Sequence, residues 1–184
     1  MNKISPDEVV LGLLAEQPRH GYQLLTHFRE SSLGPIWKLS TSHLYTILKR
    51  LERRGEIDGR EAGGEHAPIR TEYWLTPSGN RHLRRWLNEP NPSPSTRHIR
   101  TAFLSRLYIA RLIGEPVEPI IETQKRSCSD YQQTLFTMQQ QTNTDIERLS
   151  LDLRVSELGA IIEWFDRCEM TLTTANPMST DSHR

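Results

Sequence analysis

The chain has 184 residues, of which 23 are basic and 23 acidic, so its formal net charge at pH 7 is zero. Its hydrophobic fraction of 35% is low for a single compact core, and a chain of this kind often completes its burial with a second subunit. No apolar run approaches the ~20 residues of a membrane-spanning helix, residues 1–5 lack the apolar core of a signal peptide, and two cysteines exclude a disulfide framework and the common zinc patterns. We therefore expect a cytoplasmic protein without a cofactor, a metal site or a membrane partner.

Two helices are predicted at the start of the chain. The first begins at residues 5–8, where Ser5 would cap it and Pro6 would occupy the first helical position, and it ends near Gln17. The second begins about His20-Gly21. With the helix that follows, they predict a helix-turn-helix arrangement.

The third predicted helix, residues 40–55, has two unlike faces. An apolar stripe at i, i+3, i+4 and i+7 consists of Leu44, Ile47, Leu48 and Leu51. The opposite side carries hydroxyls, a phenol and cations, with no carboxylate: Ser42, Tyr45, Thr46, Lys49 and Arg53. Ser40 is expected to cap the start, and Gly55 to end the helix in a left-handed conformation. The outer face suits a DNA groove, although cations near a helix end also compensate the helix dipole.

A β-hairpin is predicted directly after this helix. Residues 57–62 and 69–75 are strand-like runs, and the loop between them is rich in glycine and proline. Thr76-Pro77 caps a fourth helix that ends near Asn88. Three helices followed by a hairpin are the order of a winged helix, so the predicted fold is mainly α with a small β-hairpin wing.

Several motifs in these elements agree with that order. They are His20-Gly21-Tyr22, Trp37, Leu44-Tyr45, Leu48-Lys49-Arg50-Leu51-Glu52, Gly55-Glu56-Ile57 and Tyr73-Trp74-Leu75-Thr76-Pro77-Ser78-Gly79. Their order and spacing over residues 1–88 resemble the PadR family of bacterial transcriptional regulators, and the remainder resembles the C-terminal helical dimerisation region of its longer members. The resemblance implies a homodimer that binds an inverted-repeat operator, usually as a repressor, and often releases it when a small aromatic or other hydrophobic effector binds.

The candidate DNA contacts follow from placing the third helix in the major groove with its N-terminal residues nearest the bases. They are Ser40, Thr41, Ser42, Tyr45 and Thr46 at the start of the helix, Lys49 and Arg53 farther along it, and Arg60, His66 and Arg70 in the wing. Arg50 and Arg54 are expected to be solvated surface. Residues 1–88 hold 13 Lys and Arg against 10 Asp and Glu, and such a small excess favours a duplex reader with a few well-placed contacts.

The second half is predicted to be a separate helical domain. Residues 89–96 form a proline-rich linker, residues 97–174 the dimerisation domain and residues 175–184 a disordered tail. Within that domain, residues 97–113 are helical, residues 117–150 form one long helix with a seven-residue apolar repeat, and residues 155–173 form the last helix. The predicted subunit interface comprises Ile121, Cys128, Tyr131, Leu135, Met138, Leu149, Leu158, Ile162 and Phe165.

Other interpretations remain open for parts of the chain. The aromatic residues that could form an effector site between the halves are Tyr22, Trp37, Trp86, Phe103 and Tyr108, although an aromatic residue at helical spacing is more often part of a core. No phosphate-binding loop, nucleophile elbow or His-x-x-x-His pair points to an enzyme. A winged-helix adaptor that binds another protein, or a DNA-binding redox sensor that uses Cys128 and Cys168, is an alternative. An adaptor should expose apolar anchors on the third helix.

Overall fold

The computed structural model describes residues 4–62 and 70–174. The first elements along the chain are α1 (Asp7–Glu16), β1 (Arg19–His20), α2 (Gly21–Glu30), α3 (Thr41–Arg53), β2 (Ile57–Ala62), β3 (Arg70–Leu75) and α4 (Pro77–Leu87). The later elements are α5 (Thr96–His98), a π-helical turn (Ile99–Phe103), α6 (Leu104–Leu112), α7 (Glu118–Gln141) and α8 (Asp145–Thr174). The prediction of a mainly helical chain with a small wing is confirmed. No helix in the described part is both long and apolar enough to cross a membrane.

The local signals that bound the first helices are largely confirmed. The Ser40 hydroxyl accepts a hydrogen bond from the His43 amide at 3.2 Å, and the Thr76 hydroxyl accepts one from the Gly79 amide at 3.1 Å. Gly55 has a φ of 65°, the left-handed conformation in which a side chain is strained. The predicted cap at Ser5 is wrong: α1 begins one residue later with Pro6 as its N-cap, and the Ser5 hydroxyl donates to Asp7 instead.

The sheet has three antiparallel strands in the order β1-β3-β2. β2 and β3 pair from Ile57 opposite Leu75 to Ala62 opposite Arg70, as the predicted hairpin requires. The short strand β1 adds His20 opposite Glu72 on the other edge of β3, and the sequence did not reveal it because two residues carry no periodicity. β1 therefore joins the start of α2 to the wing.

The chain divides into two compact units, of which the first comprises Met1–Glu89 and Arg100–Glu115. Its core contains the fully buried side chains of Val9, Val10 and Leu11 in α1 and of Ile109 in α6. α1 and α6 approach closely at Gly12, where an added Cβ would lie 2.3 Å from Ile109 Cγ2. The predicted division is therefore wrong for Arg100–Glu115, which it grouped with the later helices. The prolines before this segment suggested a domain boundary, but α6 lies after them and still packs on α1 of the first unit.

The second unit comprises Pro90–Ile99 and Pro116–Arg184, and the antiparallel hairpin of α7 and α8 dominates it. Gln132 Nε2 donates to the Val155 carbonyl at 2.9 Å, and Lys125 pairs with Asp166 nearer the open end. The single long helix predicted over residues 117–150 is wrong, since α7 ends at Gln141 and α8 begins at Asp145. The apolar repeat has its partner helix within the same chain.

Candidate nucleic-acid interface

Helix α3 presents the two faces that its sequence predicts. Leu44, Ile47, Leu48 and Leu51 are each 0% exposed, so the apolar stripe fixes the helix on the core of the first unit. The opposite face is exposed along its whole length: Ser42, Tyr45, Thr46, Lys49 and Arg53. Among the residues of α3, Tyr45 is the single large apolar side chain that solvent reaches, with 42% exposure. The outer surface is therefore polar and basic, with one aromatic ring.

Hydroxyl groups cluster at the start of this surface. Ser40 Oγ lies 3.2 Å from Ser42 Oγ, and Thr41 is exposed beside them. The Thr46 hydroxyl donates to the Ser42 carbonyl at 2.8 Å, which leaves its oxygen to accept from a ligand. The exposed hydroxyl groups of the first turn can thus offer hydrogen-bond acceptors and donors to a binding partner.

The cations of α3 fall into two sets with different roles. Lys49 and Arg53 point outward, and Arg53 Nε donates to the Lys49 carbonyl at 3.3 Å. Arg50 turns toward α1, where its Nε donates to Asp7 Oδ2 at 2.9 Å and a second nitrogen binds Oδ1. Arg54 lies 3.7 Å from the same carboxylate. The expectation of solvated surface is therefore wrong for Arg50, which anchors α3 to α1, and Arg54 contributes a weaker pair.

The electrostatics of Asp7 agree with this anchoring role. The residue is 4% exposed, and burial alone would raise the pKa of its carboxyl group. Hydrogen bonds from Arg50 and Ser5, together with the two guanidinium charges, outweigh burial and lower the pKa below its ordinary value. The carboxylate is ionised at neutral pH and holds its partners in place.

The wing contributes one cation from each strand. Arg60 on β2 is exposed, lies 5.5 Å from the centre of the Trp74 ring and has Asp58 within 3.5 Å. Arg70 on β3 is also exposed, and its guanidinium carbon lies 4.9 Å from the centre of the Tyr22 ring. Both cations rest on aromatic faces, an attraction that holds a long side chain in place. The predicted contact His66 lies outside the described residues.

The predicted effector residues have different surroundings in the first unit. Phe103 is fully buried, Trp86 is half-buried, and the Tyr108 hydroxyl lies 2.6 Å from His27 Nε2. Burial lowers the pKa of His27 and raises the pKa of Tyr108, so both groups are neutral at pH 7. Tyr22 stands on the exposed surface beside Arg70 instead.

Trp37 differs from the other effector candidates because it lines an open groove. The groove has a volume of about 600 Å³, and its wall includes Phe28, Lys38, Leu39 and the helix cap Ser40. The Trp37 indole N–H donates to Ser105 Oγ at 2.8 Å, which fixes the ring. This groove reaches the N-cap residue of α3.

The predicted interface residues of the second unit fall into three classes of exposure. Ile121, Cys128, Leu135, Leu158 and Phe165 are buried within the α7/α8 hairpin. Tyr131 and Ile162 are half-buried, whereas Met138 and Leu149 are 48% and 64% exposed. The repeat predicts the buried side of α7 at Ile121, Cys128 and Leu135, which α8 of the same chain helps to cover, but it fails beyond the turn, where Leu149 is exposed.

Neither cysteine has the surroundings of a reactive thiol. Cys128 and Cys168 are both buried, and burial raises the pKa of Cys168 to about 11. Both are protonated at neutral pH, and a protonated thiol reacts slowly with oxidants. Within residues 4–62 and 70–174, no three His, Cys, Asp or Glu side chains are arranged to hold a metal ion.

Three helices, a hairpin wing and an exposed polar third helix define the first unit as a winged helix-turn-helix of the DNA-binding type. Residues 10–85 match the family described as "Transcriptional regulator PadR-like family", so this part of the chain is a PadR-like domain. The family consists of transcriptional regulators and not of enzymes. No curated protein matched the chain significantly.

Several solved structures are similar to the chain. A PadR family transcription regulator from Clostridium difficile is 25% identical, with 42% of this chain and 78% of that chain covered and a TM-score of 0.38. Bacillus subtilis PadR in complex with operator DNA is 21% identical, with 90% and 98% covered and a TM-score of 0.45. The same Bacillus subtilis protein in complex with p-coumaric acid is 20% identical, with 92% and 96% covered and a TM-score of 0.42.

Proposed function

We propose that this chain is a transcriptional regulator that binds a specific double-stranded DNA site through α3. The observation that carries the proposal is the division of that helix into a fully buried apolar stripe and an exposed face that presents hydroxyl groups, Tyr45 and the cations Lys49 and Arg53. A duplex presents phosphate charges on both sides of a major groove that admits one helix. A protein-binding adaptor would instead need a cluster of apolar anchors on this face, and Tyr45 stands alone there.

The proposed contacts divide between reading bases and holding phosphates. Ser40, Thr41, Ser42 and Tyr45 would lie nearest the base edges, where hydroxyls contact several bases and a phenol ring can lie against a thymine methyl group. Such contacts discriminate less than a bidentate arginine on guanine, which is worth about 1 to 3 kcal/mol. Lys49 and Arg53, with the wing cations, would bind phosphates and fix the register. DNA shape and half-site spacing would supply further specificity.

We further propose that two copies of the chain act together on an inverted repeat. Exposed apolar side chains on α7 and α8 favour self-association of the second unit: Phe136, Met138, Ile146, Leu149, Leu153 and Met170. A homodimer doubles the few contacts that one α3 offers, which compensates for a net charge of zero. The DNA site should then be a palindrome whose half-sites are about one helical turn apart.

The same proposal includes repression that a small hydrophobic or aromatic effector relieves. The open groove at Trp37 supports it, because one wall is apolar and another is Ser40, the cap of α3. A ligand that prefers one position of this helix shifts the equilibrium by its difference in affinity, and a coupling of ~1 to 3 kcal/mol makes a clear switch. Such a regulator works on chromosomal DNA, which agrees with the expected cytoplasmic location.

The test is to select duplexes from a random pool with the purified protein and to sequence those that bind. We expect enrichment of one motif with two-fold symmetry and, for that motif, much tighter binding than for shuffled DNA. Enrichment of an asymmetric motif would refute the dimer but leave DNA reading intact. A pool without any enriched motif would refute sequence-specific binding, and a pull-down of protein partners would then test the adaptor function.

A further inference from the structure

Three consecutive residues, His20, Gly21 and Tyr22, touch both parts of the proposed DNA-binding surface. They stand where β1 ends and α2 begins, next to strand β3 of the wing on one side and next to α3 on the other. None of the three is itself a candidate DNA contact. Their neighbours, however, are the two exposed candidates Arg70 and Tyr45.

Tyr22 contacts the wing cation. The guanidinium carbon of Arg70 lies 4.9 Å from the centre of the Tyr22 ring, within the range of a cation–π attraction. A free arginine samples many rotamers, and ordering it at the moment of binding costs conformational entropy. An arginine that already rests on a ring loses less of that freedom when it meets a phosphate.

His20 in turn fixes the Tyr22 ring to the sheet. The two ring centres are 5.8 Å apart, and the ring planes differ by 10°, so the rings are stacked. His20 Nδ1 lies 3.2 Å from the Thr71 carbonyl, to which it donates in the tautomer protonated at that nitrogen. The backbone amide of His20 donates to Gln23 Oε1 at 2.7 Å, which ties it to the first turn of α2. His20, which stacks on the Tyr22 ring, is therefore hydrogen-bonded both to β3 and to α2.

Gly21 provides the space for Tyr45. A Cβ added to Gly21 would lie 3.0 Å from the Tyr45 hydroxyl oxygen and 3.1 Å from two of its ring carbons. Gly21 does not have a positive φ, so its backbone conformation does not require glycine. What requires glycine here is the short distance between its backbone and the Tyr45 ring. The Tyr45 ring lies against the backbone at the start of α2, and this contact limits where the ring can lie on the outer face of α3.

We propose that His20-Gly21-Tyr22 is a positioning platform, which sets the wing cation Arg70 and the α3 phenol Tyr45 at one fixed spacing before DNA arrives. The platform acts through these two side chains and does not itself read bases. The inference rests on the proposed function, because Arg70 and Tyr45 matter here as DNA contacts.

The first test is a double-mutant cycle between Tyr22 and Arg70 in the full chain, using the duplex obtained by selection. Tyr22→Leu removes the ring face, Tyr22→Phe keeps it, and Arg70→Met removes the charge. We expect Tyr22→Leu to weaken operator binding about two- to fivefold, the fold-change that corresponds to an exposed cation–π contact. Tyr22→Phe should bind like the wild type, and Tyr22→Leu should have no further effect in the Arg70→Met background.

A matched control is the cycle of Tyr22→Leu with Arg60→Met, because Arg60 rests on Trp74 and not on Tyr22. Those two changes should add. If Tyr22→Leu lowers the melting temperature, Tyr22→Met serves as a second ring-free variant. Salt dependence gives an independent measure: the slope of log K against log salt should fall by about one when Arg70 loses its phosphate contact.

The outcomes separate this inference from the proposed function. If the wild type binds the operator and Tyr22→Leu binds it equally well, the positioning role alone is overturned. A Tyr22→Phe variant as weak as Tyr22→Leu, or full additivity with Arg70→Met, would also overturn it, since either would mean that Tyr22 contacts DNA itself. Failure of the wild type to bind any selected duplex would overturn both.

A second cycle tests the other side of the platform. Gly21→Ala should displace Tyr45 by a few tenths of an ångström and weaken the operator more than shuffled DNA. In a Tyr45→Ala background the same change should have no effect on binding. Equal losses in both backgrounds would overturn the role of Gly21.

Discussion

The anchoring of α3 by Asp7 leads to a prediction about stability and DNA binding together. In Asp7→Asn, Arg50 keeps its position but loses a carboxylate that accepts two hydrogen bonds. The Asp7 side chain is 6% exposed and that of Arg50 is 29%, so the pair is shielded but not fully buried. Hydrogen bonds to charged groups contribute about 1.5 to 3 kcal/mol, and removing one partner of a fully buried pair costs 3 to 5 kcal/mol. We expect a loss of about 2 kcal/mol, near the lower of these ranges because Arg50 retains access to water.

The pH dependence of this contribution has a definite sign. The folded protein holds the pKa of Asp7 below its ordinary value of 3.8, so the unfolded chain binds the proton more readily. The pair therefore stabilises the fold in full above pH 3.8, and that stability is lost as the pH falls through the lower, folded value. Asp7→Asn should remove this part of the acid sensitivity.

Urea unfolding at pH 7 and at pH 3, followed by tryptophan fluorescence, measures both effects. Trp37, Trp74 and Trp86 all lie in the first unit and report on it. Asp58→Asn is the matched control, because its partner Arg60 is 74% exposed and such surface pairs contribute at most about 1 kcal/mol. A free energy of unfolding for Asp7→Asn within about 0.5 kcal/mol of the wild type at pH 7, a typical surface-substitution effect, would refute the anchoring role.

Three further predictions concern the exposed face of α3 and the core. Lys49→Ala should weaken the binding of all duplexes alike and flatten the slope of log K against log salt by about one unit per lost phosphate contact. Fluorescence anisotropy at several salt concentrations measures both effects, and a loss of affinity confined to the operator would contradict phosphate binding. Tyr45→Ala should weaken the selected operator more than shuffled DNA, and unchanged selectivity would mean that the proposed docking orientation is wrong. Gly12→Ala should destabilise the first unit by about 1 to 3 kcal/mol in urea unfolding, because its methyl group would meet Ile109. In an Ile109→Ala background, which lacks all three colliding carbons, the same change should cost less, and a Gly12→Ala variant as stable as the wild type would contradict the close packing of α1 on α6.

The candidate site was predictable as far as it depends on one helix. The spacing of Leu44, Ile47, Leu48 and Leu51 decides which face of α3 is buried, and the opposite face follows from geometry alone. The positions of Ser40 and Gly55 mark its ends because capping and left-handed backbone are local preferences. The sequence alone therefore places Lys49 and Arg53 on the exposed side of the helix.

The contacts between distant residues could not be predicted in the same way. The sequence shows four basic residues near the end of α3, but it does not show that Arg50 reaches Asp7, 43 residues earlier, while Lys49 points outward. Nor does a pattern within one element reveal that Tyr22 lies under Arg70. Side-chain partners of this kind depend on how helices cross, and no local periodicity encodes that angle.

The same distinction explains the two errors about the helices. The seven-residue repeat after Ile121 correctly predicts a seam that needs a partner, because apolar side chains at that spacing share one face of a helix. It contains no information on whether the partner is another subunit or the next helix of the same chain. The break between Gln141 and Asp145 lets α8 fold back as the partner of α7. The contact between Ile109 and Gly12 places α6 in the first unit. By itself the sequence determined the helices, their buried faces and the winged-helix order; the tertiary structure decided which surfaces remain open, because burial depends on the whole chain.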